Sequence, residues 1–220
     1  MNNRREEIAA NLADVETRIR SSLSSVGRDR SEVTLIAVTK TFPVEDALIL
    51  YELGIKHFGE NRDQEGALKA PLLPPDSHWH FQGQIQGNKI ASIASWAQTI
   101  HSLDSLDHAA KFARTENISS QEYFLQVNLE TDAKHRGGIP RNEVEGFITN
   151  SSVPISGLMV VAPLEVDPSG AFEELQGIAQ QYGLKKLSMG MSGDFELALM
   201  AGATHIRVGS SILGSRPSFI

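Results

Sequence analysis

The sequence predicts a closed (β/α)8 barrel preceded by one helix, and three observations carry that expectation. Short apolar segments alternate with helix-like segments from Val33 onward. There are eight of the first kind, each short and apolar as a parallel strand covered on both faces should be. Every connection between them is long enough for a helical crossover, which parallel neighbours require.

The elements follow in order. Ile8, Leu12, Val15, Ile19 and Leu23 recur at helical spacing and form one apolar stripe, so residues 1–30 read as a helix packed on the outside of the barrel. The expected strands are "VTLIAVT", "KHFGE", "HWHFQG", "TIHSLD", "YFLQVNL", "ISGLMVV", "KLSMG" and "HIRVG". Between them lie "PVEDALILYELG", "DQEGALKA", "NKIASIASW", "LDHAAKFARTEN", "RNEVEGFITNS", "SGAFEELQGIAQQYG" and "DFELALMAGA", all helix-like. "PLLPPD", Pro71 to Asp76, reads as a rigid loop between units. An open doubly wound sheet is the competing arrangement, but no Gly-x-Gly-x-x-Gly follows the first strand. The barrel uses nearly the whole chain, so residues 1–220 are read as a single domain.

Composition narrows the function. A net charge of -7 disfavours general binding to nucleic-acid phosphates. The absence of cysteine removes disulfides, thiolate metal sites and cysteine nucleophiles together. No window approaches the roughly 18 apolar residues of a membrane span, and the charged N-terminus has no signal-peptide core. The expectation is a cytoplasmic monomer with no nucleic-acid or membrane partner. His57, His78, His80 and His101 look scattered, without a short-range ligand pair, and no metal site is expected from them.

In a barrel of this kind, functional groups sit where strands end at the carboxyl face. The candidates there are Lys40, Asn61, His80, Gln82, His101, Asp104, Asn128, Ser192, Arg207, Gly209 and Ser210. "GMSGDFELAL" and "RVGSSILG" both run from a Gly- and Ser-rich turn into apolar sequence. Unpaired backbone N–H groups at such turns suit an anion, and barrels often hold phosphate after their seventh and eighth strands. The plainer alternative is that Ser192 and Asp194 cap a helix and Gly209 makes a turn.

Closing the ring sets the first strand beside the eighth. Lys40 would then share a pocket with that phosphate cup. A partly desolvated lysine can attack carbonyls, so the pair suits a phosphorylated aldehyde. Pyridoxal 5'-phosphate fits that description, and so does a sugar phosphate in a Schiff-base aldolase. Arg207, two residues before Gly209, should share its direction. Opposite a pyridine nitrogen a guanidinium only donates, which weakens the ring as an electron sink. A structural arginine, salt-bridged across the barrel, is the alternative.

"LIAVTK", "HFGENR", "WHFQGQIQGNK", "HSLDS", "GLMVV" and "LSMGMSGDFELALMAGATHIRVGSSILG", in that order, resemble the pyridoxal phosphate homeostasis proteins. These are single-domain barrels similar to the N-terminal domain of alanine racemase. The resemblance runs from about Leu35 to Arg216. It implies pyridoxal 5'-phosphate as cofactor, held as a Schiff base on Lys40. It implies phosphate contacts from Ser192, Gly209 and Ser210, a pyridine-nitrogen contact from Arg207, and Asn61 near the cofactor. The sequence departs from the family pattern at Arg62 and Asp63, in "QGQIQGNK" and in "DAKHRGG". "HRGG", His135 to Gly138, reads as a loop that could meet phosphate or a partner.

A carrier and an enzyme differ in acid–base groups. A two-base racemase needs one such group on each side of the substrate α-carbon. Of the three tyrosines, Tyr51 and Tyr182 fall on outer helices and Tyr123 begins the fifth strand, at the wrong end. The first expectation is therefore a non-catalytic protein that stores, buffers or delivers pyridoxal phosphate, with apo-enzymes that use the cofactor as recipients. A low-activity amino-acid racemase on the same site is the alternative, and a sugar-phosphate lyase lies further behind.

Overall fold

The computed structural model describes residues 2–116, 118–130, 137–163 and 166–215. Among the described residues nine strands are present: β1 (Thr34–Val38), β2 (His57–Glu60), β3 (His78–Phe81), β4 (Thr99–Leu103), β5 (Glu122–Asn128), β6 (Ile139–Pro140), β7 (Ile155–Met159), β8 (Lys186–Met191) and β9 (His205–Val208). Eight of them pair in the order β4-β3-β2-β1-β9-β8-β7-β5, and a β4–β5 pairing closes the ring. Every pairing is parallel, so the chain forms a (β/α)8 barrel. The two-residue β6 pairs with the end of β5 and, among the described residues, stands outside the ring.

The helices are α1 (Asn2–Ser25), α2 (Val44–Glu52), α3 (Asp63–Lys69), α4 (Ile90–Trp96), α5 (Leu106–Phe112), α6 (Val144–Asn150), α7 (Ser169–Gln181), α8 (Phe195–Met200) and α9 (Ser210–Leu213). The expected "PLLPPD" loop begins with a short 3-10 turn, Ala70–Leu72. The last helix is a difference from the sequence reading, which had only a turn in "RVGSSILG". Its Ile212 and Leu213 are buried. Asn11 on α1 donates to Ile212 O at 3.0 Å, and Arg4 donates to Leu213 O at 3.0 Å. Contacts from residues 200 positions away hold this turn in helical form, so no local pattern announces it.

The α1 stripe of Ile8, Leu12, Val15, Ile19 and Leu23 is buried throughout. Ion pairs fasten its outer flank: Arg4 with Asp46 on α2 at 2.6 Å, and Arg18 with Glu196 on α8 at 2.5 Å. The long helix thus braces α8 and α9, the two elements behind the Gly/Ser turns.

Strand alternation divides the interior in two. One set of side chains, including Leu35, Phe58, Trp79, Ile100, Tyr123, Leu187 and Ile206, joins the helices in a continuous apolar core. The other set faces the lumen. There Ile36, Phe124 and Met159 are buried apart from that core, in company with His80, His101, Ser188, His205 and Arg207. The lumen is therefore far more polar than strands read as uniformly apolar suggest. Several of its polar groups bond to one another. His57 Nδ1 meets His80 Nε2 at 3.0 Å, His80 Nδ1 meets His101 Nε2 at 2.8 Å, and His101 Nδ1 meets Ser188 Oγ at 2.8 Å. His101 stacks on Phe124, with ring centroids 4.7 Å apart. Burial drives the His80 and His101 pKa values well below the usual histidine range and His205 down to about 3. His80 and His101 therefore do not stand at strand exits, where the sequence reading had them; β3 and β4 both continue past these residues.

Candidate functional site

At the carboxyl end of the barrel lies a cavity of about 330 Å³. Lys40, Asn61, Ser192, Arg207, Gly209 and Ser210, the six residues singled out in the sequence, all line it. The reason is the ring. β1 pairs with β9 in the register Ile36↔Arg207 and Ala37↔Val208, which brings the exits of the first and last barrel strands together.

Two turns form one wall. Ser192, just after β8, accepts hydrogen bonds at Oγ from Gly209 N at 3.1 Å and Ser211 N at 3.4 Å. Ser211 Oγ returns a bond to Ser192 O at 3.2 Å. The two turns are thereby stitched into one unit. Asp194 stands at the N-cap position of α8 but makes no side-chain cap there, contrary to the plainer reading: its carboxylate accepts from Met191 N and tightens the turn before the helix. Gly190, near the end of β8, has a φ of +90°, and a Cβ there would lie 2.6 Å from Ala198 Cβ, so this strand end requires glycine.

Arg207 forms the floor. It is 5% exposed, yet among the described residues no carboxylate pairs with it at salt-bridge distance. Its Nη1 donates to Ser188 Oγ at 2.7 Å and its Nη2 to Val160 O at 2.9 Å. Burial pulls the guanidinium down to about 10, with the Asp194 charge opposing. The salt-bridged structural arginine of the sequence reading is not what is seen. A buried cation bonded only to neutral oxygens, at a cavity wall, suits an electron-rich ligand atom.

Lys40 follows β1 and is half-buried. Both its neighbours are clamped from outside the barrel. Thr39, fully buried, donates its hydroxyl to Glu60 Oε1 at 2.7 Å. Lys69 on α3 donates to Thr39 O at 2.9 Å and to Glu60 Oε1 at 2.7 Å. Thr41 has a φ of +68°, a left-handed conformation that costs a β-branched residue about 1–2 kcal/mol. Glu65 Oε2 accepts the Thr41 N–H at 2.7 Å and holds it there. Burial pushes the Glu60 carboxyl up, and Lys69 and Thr39 oppose that shift. The sequence reading missed this clamp. The spacing of Glu65 and Lys69, four residues apart on one helix face, was its one visible sign.

Gln82 was noted in the sequence as an exit residue but not assigned to the site. It lines the cavity, and its Nε2 is buried without a hydrogen-bond partner. A Cβ on Gly59 would fall 1.9 Å from that nitrogen, so glycine makes room for the amide. An unsatisfied donor, a buried guanidinium, an amine and two stitched turns fit a small anionic ligand with a carbonyl group. Asp104 accepts from Gly138 N at 3.1 Å and serves its loop rather than the cavity. Met191 lines the cavity, whereas Met189 belongs to the core. Arg62 stays exposed, and Asp63 receives Ser92 Oγ at 2.7 Å and Trp96 Nε1 at 3.1 Å, tying α3 to α4. His135 and Arg136 lie outside the described residues.

The fold and this cavity define a class, the alanine-racemase-type barrels. The family model described as alanine racemase, N-terminal domain, matches residues 11–217. The pyridoxal phosphate homeostasis protein of Corynebacterium glutamicum is 38% identical over 221 residues, covering 92% of this chain and 99% of the relative. PipY of Synechococcus elongatus PCC7942, solved with PLP bound, superposes with a TM-score of 0.78 at 33% identity, covering 94% of this chain and all of that one. An unknown protein from Bifidobacterium adolescentis superposes at 0.88 with 27% identity, covering 96% of both chains. The chain belongs to the pyridoxal phosphate homeostasis protein family.

Proposed function

We propose that this protein binds pyridoxal 5'-phosphate in the carboxyl-end cavity and acts in homeostasis of that cofactor by storing, buffering or delivering it. The observation that carries the reading is the convergence of Lys40, Ser192, Gly209, Ser210 and Arg207 on one cavity. The kinship with pyridoxal phosphate homeostasis proteins, and the PLP bound by PipY, support it.

The bound group would supply an aldehyde that an amine can hold reversibly, and a phosphate. Lys40 is the residue that would hold the cofactor as a Schiff base, positioned by the Thr39 and Thr41 clamps. The turns at Ser192 and at Gly209 and Ser210 would hold the phosphate through backbone N–H groups and hydroxyls. Arg207 would donate to the pyridine nitrogen and keep it unprotonated. Asn61 and Gln82 would border the ring.

Among the described residues lining the cavity, Lys40 and Arg207 are the ionisable ones. A racemase needs a second acid–base group opposite the lysine, so this lining supports a carrier. We place the protein in the cytoplasm as a monomer, with apo-enzymes as recipients. Among the described residues, no helix is long and apolar enough to cross a membrane.

The test is borohydride reduction of the protein loaded with pyridoxal phosphate, followed by peptide mapping. A pyridoxyl adduct on Lys40 is expected; an adduct elsewhere, or none, overturns the assignment. Sustained solvent-deuterium incorporation at the α-carbon of amino acids would instead make the protein an enzyme.

A further inference from the structure

We propose that the amino-end mouth of the barrel, opposite the cofactor cavity, binds a late first-row divalent metal ion of the Zn²⁺ type through His57, His78 and His80. One ring nitrogen from each of these residues lies within 4.8 Å of the other two. Strand geometry produces the cluster. His57 on β2 and His78 on β3 are register partners, so they stand side by side. His78 and His80 are two residues apart on one strand and share a face. The site is thus built on rigid strands, not on loops.

The spacing suits a small ion. His57 Nδ1 and His80 Nε2 face each other at 3.0 Å. Ligands about 2.0–2.1 Å from a tetrahedral ion sit about 3.3 Å apart, so the pair need open only slightly. His57 and His78 are half-buried at the mouth, while His80 is 1% exposed beneath them. An ion can enter from solvent, bind three imidazoles and keep a water in its fourth position.

The outer partners are those a ligating histidine needs. His78 Nε2 lies 2.8 Å from Thr99 Oγ1, and His80 Nδ1 lies 2.8 Å from His101 Nε2. With the ion on Nε2 of His80, its proton stays on Nδ1 and is donated to His101 Nε2. His101 then donates from Nδ1 to Ser188 Oγ, which also accepts from Arg207 Nη1. The chain of bonds ends at the floor of the cofactor cavity, yet the two sites share no residue. The cations near the mouth are already neutralised: Lys186 pairs with Glu122, and Lys56 with Asp76 at 2.8 Å. Imidazole-only ligation favours zinc, copper or nickel over magnesium or calcium, which take oxygen ligands.

The experiment titrates tag-free protein with Zn²⁺ by calorimetry and with Co²⁺ as an optical probe. One equivalent is expected, with the visible bands of a four-coordinate Co²⁺ site. His57→Ala and His78→Ala should each weaken Zn²⁺ binding by at least about 100-fold, the upper end seen for loss of even an outer partner. Circular dichroism and thermal melting establish that these variants fold; His78→Gln provides a second variant of closer size. Lys40→Ala should bind Zn²⁺ as the parent does, which separates this site from the cofactor reading. No Zn²⁺ binding by the parent protein at about 100 µM, or binding unchanged in the folded His57 and His78 variants, overturns the proposal.

Discussion

The two mouths of the barrel are built by opposite means. The carboxyl-end mouth is made of turns: the Ser192 and Ser210 hydroxyls, a glycine-bearing turn stitched to Ser192 Oγ through Gly209 N and Ser211 N, and a lysine just beyond a strand. Its precision is imposed from outside, by α1 behind α8 and α9 and by the Glu60, Glu65 and Lys69 clamp. The amino-end mouth is made of strand side chains, His57, His78 and His80, placed by register alone. Turns present hydroxyls and backbone around a cavity; strands present few side chains at fixed separations. If both proposals hold, one ring of strands carries two unrelated recognition chemistries with a polar lumen between them. Here His101, Ser188 and Arg207 form that connection.

The two mouths should respond differently to mutation. The largest effect belongs to Lys40→Ala, which should abolish the borohydride-trapped pyridoxyl adduct while Zn²⁺ uptake at the other mouth persists. Loss of both would mean the mouths do not act separately. Lys69→Met should come next. It strands the Glu60 carboxylate, which is 0% exposed, and should cost about 3–5 kcal/mol. For a chain of this size that lowers Tm by on the order of 10 °C, read by calorimetry. A loss under about 1 kcal/mol would show that the clamp is not held by this pair.

Ser188→Ala tests the link between the mouths. It removes the acceptor that Arg207 Nη1 and His101 Nδ1 share, at about 1–3 kcal/mol for each donor left unsatisfied. Denaturant unfolding measures the cost, and pyridoxal phosphate titration shows whether Arg207 has lost its aim. An unchanged affinity would mean that Val160 O alone positions the guanidinium. The smallest effect is Thr41→Gly. Relief of the left-handed strain nearly offsets the greater entropy of the unfolded chain, so stability should stay within about 1 kcal/mol of the parent. Looser holding of Lys40 should appear as faster release of the cofactor, followed by its absorbance.

Much of the carboxyl mouth was legible because its signals are local. "MSGD" and "RVGSS" announce turns, and Lys40 stands two residues past an apolar run. The clamp was less so: Glu60, Glu65 and Lys69 act on Thr39 and Thr41 across 20 to 30 residues, and each alone looks like an ordinary helix or strand charge. The histidines look scattered in the sequence, yet three of them stand together in the fold. "HWH" places two imidazoles on one strand face, a short-range pair that was present in the sequence. The third arrives only when β2 pairs with β3 in the His57↔His78 register. The short helix α9 escaped because its stabilising partners lie on α1, at the other end of the chain.

By itself the amino-acid order determined the rhythm of eight strands and their crossovers, the apolar stripe of the first helix, and the turns rich in glycine and serine. Those are consequences of side-chain period and backbone freedom within a few residues. Ring closure, which sets Lys40 beside Gly209 and seats Arg207 over Ser188, was decided only in three dimensions. So was the polar lumen that joins the two mouths. Pairing between distant strands depends on how the whole set of apolar faces is buried at once, and no short window of sequence contains that sum.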